Sequence, residues 1–240
     1  MISMGRLLIL IICLSDLMAG QVTPNEKRNG PARRVSQLGS QTLAGDQVRE
    51  LLTRQPSLAS FEYRVNCGVC CATTEDLYIP ERISVRKTPE ETLRTFFRSE
   101  PRISIIKDAG GILRIKDSSL PPAVTDVKIN SLTLDNIQDP DDAIHVILTL
   151  PEVQRFMSAQ HLQILPMISS KIRSPRGADS PHLTITMHNV TVRQVMDRLI
   201  EMFPGLWIYY QCATPEGEGR FALLFNSLPL NNQSKAVPKP

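Results

Sequence analysis

The stretch "LTITMHNVTVRQVMDRLIEMFPGLWIYYQC" (183–212) changes its apolar period twice. Leu183 to Asn189 alternates strictly, the two-residue period of a half-buried strand. Thr191 to Pro204 follows the helical period. Thr191 stands as N-cap, Gln194 as its capping-box partner, and Met196, Leu199 and Ile200 share one face. Pro204 closes the helix. "LWIYYQC" (206–212) and "RFALLFN" (220–226) then flank a Gly/Pro-rich turn, "ATPEGEG", and read as a β-hairpin.

The same order of patterns stands upstream. "RISVRK" (82–87) reads as a strand and "TPEETLRTFFRSEP" (88–101) as a short helix. Thr88 is the N-cap, Pro89 takes the first helical position, Glu91 completes a capping box, and Leu93, Phe96 and Phe97 form the apolar face. "RISIIKD" and "ILRIKD", separated by "AGG" (109–111), predict a second hairpin. A constant offset of 103 takes Thr88 to Thr191, Pro101 to Pro204 and Ile105 to Ile208. The leading strands match after a one-residue slip, which a bulge can absorb. The expectation is an α+β fold made of two strand–helix–hairpin units, each a helix packed on a small mixed sheet, over 44–120 and 124–228.

A unit of roughly 45 residues buries too little surface to be stable alone, so other elements must complete each copy. "GDQVRELLTR" (45–54) predicts a helix capped by Asp46, and "SFEYRVN" (60–66) a strand. "VKINSLTL" (127–134) alternates imperfectly. "DPDDAIHVILTL" (139–150) predicts a helix capped by Asp139, and "PEVQRFMSAQ" (151–160) a second helix with Val153, Phe156 and Met157 on one side. "SSKIRSPRGADSP" (169–181) is a turn-rich connector. The polar ends, 21–43 and 229–240, read as a flexible linker and a disordered tail.

Composition sets the class. Of 240 residues, 42% are hydrophobic and 21% charged, which is ordinary for a globular protein. A net charge of +3 makes no case for a nucleic-acid partner, and part of it lies in "NEKRNGPARR" (25–34). At the start, Arg6, the apolar run "LLILIICL" (7–14) and the small residues of "LMAG" (17–20) form a secretory-signal pattern over 1–20. Eight apolar residues are too few to span a bilayer, which takes about 20. No later segment is long enough either, so the mature chain is expected to be secreted or periplasmic, without a transmembrane segment.

Removing that signal takes Cys13 with it and leaves Cys67, Cys70, Cys71 and Cys212, an even set in an oxidising compartment. The cluster "CGVCC" (67–71) has three readings. As a thiol–disulfide oxidoreductase it would need a lowered thiol pKa, yet no helix start follows it, and Glu75 and Asp76 do. As a zinc clip with Cys212 it would need two spaced pairs, and adjacent Cys70 and Cys71 fit that poorly. As structural disulfides, one bridge from the cluster to Cys212 ties the two halves together. Closing a loop of about 140 residues contributes roughly 4–5 kcal/mol in the chain-entropy account.

Asn189, Thr191, Val195, Met196, Leu199 and Ile200, followed by paired strands, resemble the short N-terminal module of secretins and TonB-dependent receptors. In the upstream copy Lys87 replaces the asparagine, while Thr88, Thr92, Leu93, Phe96 and Phe97 keep the spacing. The resemblance implies an α+β module that binds other protein in the cell envelope. The barrels of those families are absent from this sequence, so it does not imply transport.

Catalytic and metal motifs are missing: no G-x-S-x-G, H-E-x-x-H, Walker loop or Rossmann fingerprint occurs. His145, His161, His182 and His188 stand apart in sequence; His182 and His188 flank one strand without a carboxylate pair to complete a metal site. "DPDD" (139–142) is explained by helix capping. Trp207 and Tyr209 share one side of a strand and are the candidate binding face for a small ligand or glycan. Asn189 and Asn232 begin glycosylation sequons, which matter only in a eukaryotic secretory route. The function expected is non-enzymatic binding of another envelope protein through sheet-edge pairing, with no cofactor and no metal. A thiol–disulfide oxidoreductase and a small-ligand or glycan binder are the alternatives.

Overall fold

The strand β1 (Ala59–Arg64) alternates Phe61 and Tyr63 with Ser60 and Glu62, and every one of these side chains is buried. A strand buried on both sides belongs inside a sheet covered on both faces. The computed structural model places it there, and describes residues 43–67, 73–74, 77, 85–165, 182–213 and 218–228. All of them lie in one compact unit, Val35–Pro240.

In chain order the elements are α1 (Leu43–Arg54), β1, β2 (Asn66–Cys67), β3 (Thr73–Thr74), α2 (Pro89–Phe96), β4 (Ile103–Lys107), β5 (Leu113–Asp117), a 3₁₀ turn (Val124–Asp126) and β6 (Lys128–Ile137). There follow α3 (Pro140–Thr149), α4 (Pro151–Ala159), β7 (Leu162–Ile164), β8 (Leu183–Thr191), α5 (Val192–Met202), β9 (Gly205–Ala213) and β10 (Gly219–Ser227). The fold is mixed α+β. A six-stranded sheet runs in the order β4-β5-β1-β9-β10-β7, with two-stranded sheets β2-β3 and β6-β8 beside it.

Both expected hairpins form. β4 pairs antiparallel with β5, and β9 with β10. Gly111, at φ 83°, closes the first, a backbone setting that an L side chain resists. They do not, however, build separate small sheets. β1 lies between them, parallel to β5 on one side and to β9 on the other, so strands from 44–120 and from 124–228 share one sheet. A lone hairpin is marginal in water; β1 satisfies an edge of each.

The two faces of the sheet carry separate cores. On one, α1 and α2 cover Phe61, Tyr63, Ile105, Ile115, Ile208 and Tyr210. On the other, α3, α4, α5 and the β6-β8 ribbon cover Trp207, Tyr209, Phe221 and Leu223. The helices that precede the two hairpins therefore lie on opposite faces. The offset of 103 aligns Ile105, which packs with α2, with Ile208, which points away from α5. It matches the helices and slips by one residue in the hairpins.

Local sequence accounts for most helix ends. The Thr191 hydroxyl accepts from the Gln194 N–H at 3.2 Å, and Gln194 Oε1 accepts from the Thr191 N–H at 2.8 Å, a complete capping box. Thr88 Oγ1 accepts from Glu91 N–H at 3.2 Å, and Asp139 Oδ1 from Asp141 N–H at 3.1 Å. Asp46 differs from expectation: α1 starts at Leu43, so Asp46 sits inside the first turn. Val85–Lys87 belong to no strand, although the upstream pattern suggested one, and Arg82–Ser84 lie outside the described residues. In the ribbon, Asn136 and Asn189 adopt left-handed φ of 49° and 52°. The register shifts between Leu134 and Ile137, just past the imperfectly alternating 127–134 segment, whose own pairing with β8 keeps one register from Ile129 to Leu134.

The predicted signal (1–20), most of the linker (21–43), the 169–181 connector and the whole of the tail (229–240) lie outside the described residues.

Candidate functional site

Alternation along β9 sends Trp207 and Tyr209 to the α5 side of the sheet, where both are fully buried. This corrects the expected binding face: neither ring meets solvent. Trp207 Nε1 donates to Asp197 Oδ1 at 3.2 Å. The Tyr209 hydroxyl donates to Gln211 Oε1 at 2.5 Å and accepts from the Val124 N–H at 3.3 Å. Burial pushes that phenol above its ordinary range. A glycan or small-ligand reading built on these rings loses its surface.

Beside them, two ion-pair networks cross the sheet. Arg193 of α5 grips Glu62 of β1 through Nε and Nη2, each at 2.8 Å, and reaches Asp126 at 2.6 Å. Thr125 Oγ1 donates to Glu62 Oε2 at 2.6 Å. Burial alone would lower the Arg193 pKa, but the hydrogen bonds and charges of Glu62 and Asp126 outweigh it and raise it. Arg114 of β5 in the same way pairs with Asp108 at 2.5 Å and with Asp197 of α5. These carboxylates are held by arginines inside a packed layer, an arrangement that fastens α5 to the sheet.

Cys212 is buried on the α1 and α2 side of β9 and is disulfide-bonded. Of Cys67 only the backbone is described, as part of β2, and Cys70 and Cys71 lie outside the described residues. The thiol-exchange reading rests on those residues. His145, His161, His182 and His188 are exposed, and His182 Nδ1 shares a 2.8 Å hydrogen bond with Asn136 Oδ1. Among the described residues no group of three or more His, Cys, Asp or Glu is placed to hold a metal. A shallow cleft of about 280 Å³ lies beside β7, lined by Met157, His161, Leu162 and Glu218 among others. Among the described residues, the His161 and Glu218 side chains that line it have no hydrogen-bond or ion-pair partner.

The sheet edges carry a clearer signal. β4 and β7 end the six-stranded sheet. The Asp108 N–H donates to the Ile112 carbonyl and the Ser118 N–H to the Arg102 carbonyl, so the even-numbered residues of β4 face β5. The N–H and C=O groups of Ile103, Ile105 and Lys107 therefore point out of the sheet. Two of these six groups are used: Ile103 N–H donates to Glu100 O at 3.0 Å, and Ile105 O accepts from Arg94 Nη2 at 2.7 Å. Among the described residues the other four have no partner. Ile106, on the same strand, is 60% exposed, and Ile164 on β7 is 43% exposed. Two of the large exposed apolar side chains thus sit on the two edge strands.

Sequence reading missed Glu62 and Arg193, and their only local signal was a charge inside an otherwise apolar strand. Arg94 also went unnoticed, because Glu90 four residues earlier makes it look like an ordinary surface pair. Among the described residues no helix is long and apolar enough to cross a membrane. No family model, curated protein or solved structure matches the chain.

Proposed function

We propose that this chain is a non-enzymatic interaction module of the cell envelope, secreted or periplasmic, that recruits another protein by adding the partner's strand to the edge of its sheet. The β4 edge carries the reading. Unpaired outward backbone groups together with an exposed isoleucine are what strand addition uses: main-chain hydrogen bonds supply affinity and alternate side chains supply selectivity. β7, at three residues, offers a shorter ladder.

The cysteines fit the same compartment. Val65 N–H donates to Gln211 O at 3.0 Å, which brings the chain just before Cys67 alongside the strand that carries Cys212. A bridge between the 67–71 cluster and Cys212 would bind β1's continuation to β9 and hold the sheet together outside the cytosol. The signal-like residues 1–20 support the same route.

Site-specific photo-crosslinking tests the reading. A photoreactive side chain at position 106 is expected to capture a discrete partner from an envelope extract, while one at position 202 is not. Lys107→Pro removes an outward N–H without touching the ladder to β5, and should abolish the capture. Equal labelling from both positions, or capture unaffected by the proline, would overturn the proposal.

A further inference from the structure

We infer that Arg94 is a latch on the β4 edge, opened by an extended partner segment that carries a carboxylate. The inference rests on the edge-pairing reading above and adds the chemistry of the partner. Ile105 is the middle residue of the outward row, and the Arg94 guanidinium occupies its carbonyl. An added antiparallel strand needs the N–H and C=O of that residue together. Pairing along β4 is blocked until Arg94 leaves.

Arg94 is held lightly. Its side chain is 55% exposed, and its other partner is Glu90 one helical turn earlier, at 2.9 Å. Exposed pairs of this kind are weak. A guanidinium leaves a carbonyl readily for a carboxylate, which it binds through two parallel hydrogen bonds. The surrounding charge favours the same visitor. Arg98, Lys107 and Lys116 are exposed and have no ion-pair partner among the described residues. The acids of the hairpin are already engaged: Asp108 holds Arg114 at 2.5 Å, and buried Asp117 lies 3.5 Å from Arg102. Uncompensated positive charge along the edge attracts an acidic strand and repels a basic one.

Fluorescence anisotropy on the full chain tests this with three labelled peptides: alternating valine and glutamate, the same with glutamine, and the glutamate peptide N-methylated at alternate residues. The glutamate peptide is expected to bind about tenfold more tightly than the glutamine peptide at low salt, and the N-methylated one not at all. In Arg94→Gln the glutamine peptide should gain at least about threefold, and the glutamate advantage should shrink below about threefold. Arg94→Lys, which keeps the charge and loses the fork, should keep the glutamate preference while still freeing the edge for the glutamine peptide, and stands in should the first variant not fold. Equal affinity for glutamate and glutamine peptides, or no gain for the glutamine peptide in either variant, overturns the latch and leaves edge pairing intact. Binding of the N-methylated peptide as tightly as its parent, or no binding of any peptide to any chain, overturns edge pairing itself.

Discussion

Arg193 and Glu62 stand 131 residues apart in the chain and meet through two hydrogen bonds of 2.8 Å. One belongs to α5 and the other to β1, the strand that joins the two hairpins. The Glu62 side chain is 3% exposed, so its charge has lost nearly all contact with water and depends on the guanidinium and on Thr125. The pair fixes how α5 lies across the central strands.

Removing one partner of a buried pair leaves the other charge stranded. Arg193→Ala is therefore expected to cost about 3–5 kcal/mol in urea unfolding. The double change Glu62→Leu with Arg193→Met should recover most of that loss, because it strands no buried charge: Asp126, the other partner of Arg193, is half exposed. A single variant within about 0.5 kcal/mol of the parent would show that the pair does not hold the helix in place.

The capping box of α5 makes a smaller, local contribution. Thr191→Ala deprives the Gln194 N–H of its acceptor, and should lower stability by about 1 kcal/mol. Thr191→Ser keeps the oxygen and should restore it. Thermal melts followed by circular dichroism distinguish the two.

Gly205 opens β9 under close packing. A Cβ there would stand 2.5 Å from the Asn226 carbonyl oxygen and 2.8 Å from the Phe225 ring. The carbonyl belongs to the pairing between β9 and β10 and cannot swing aside. Gly205→Ala should cost about 1–3 kcal/mol by overpacking, and the loss should show as a lower urea midpoint with an unchanged slope.

Burial raises the pKa of Asp46 above its ordinary 3.8, and the attraction of Arg49 offsets only part of the shift. The folded chain thus holds that proton more tightly than the unfolded chain does. The resulting stabilisation is complete below the ordinary carboxylate value and fades as pH rises through the raised one. Asp46→Asn removes the disfavoured charge. It should raise the melting temperature at pH 7 and leave it unchanged at pH 3, and a variant equally shifted at both would contradict this sign.

The sequence by itself determined most of the longer elements and many of their ends; the strand expected at 82–87 does not form over Val85–Lys87, and the short β2, β3 and β7 carried no signal of their own. Thr88, Asp139 and Thr191 cap helices through atoms two or three residues away, and the alternation of Leu206 to Cys212 forms a strand, because both effects act within a few residues. Asp46 misled, since a good capping side chain carries no information about apolar residues upstream that can extend the helix. Tertiary structure alone decided that β1 runs parallel to both hairpins, that α2 and α5 take opposite faces, that Trp207 and Tyr209 are core, and that Arg94 reaches the outer carbonyl of Ile105. A strand's alternation says that its two sides differ and not which layer will cover each. That choice depends on which distant helices bring matching apolar area, and on where Glu62 finds Arg193.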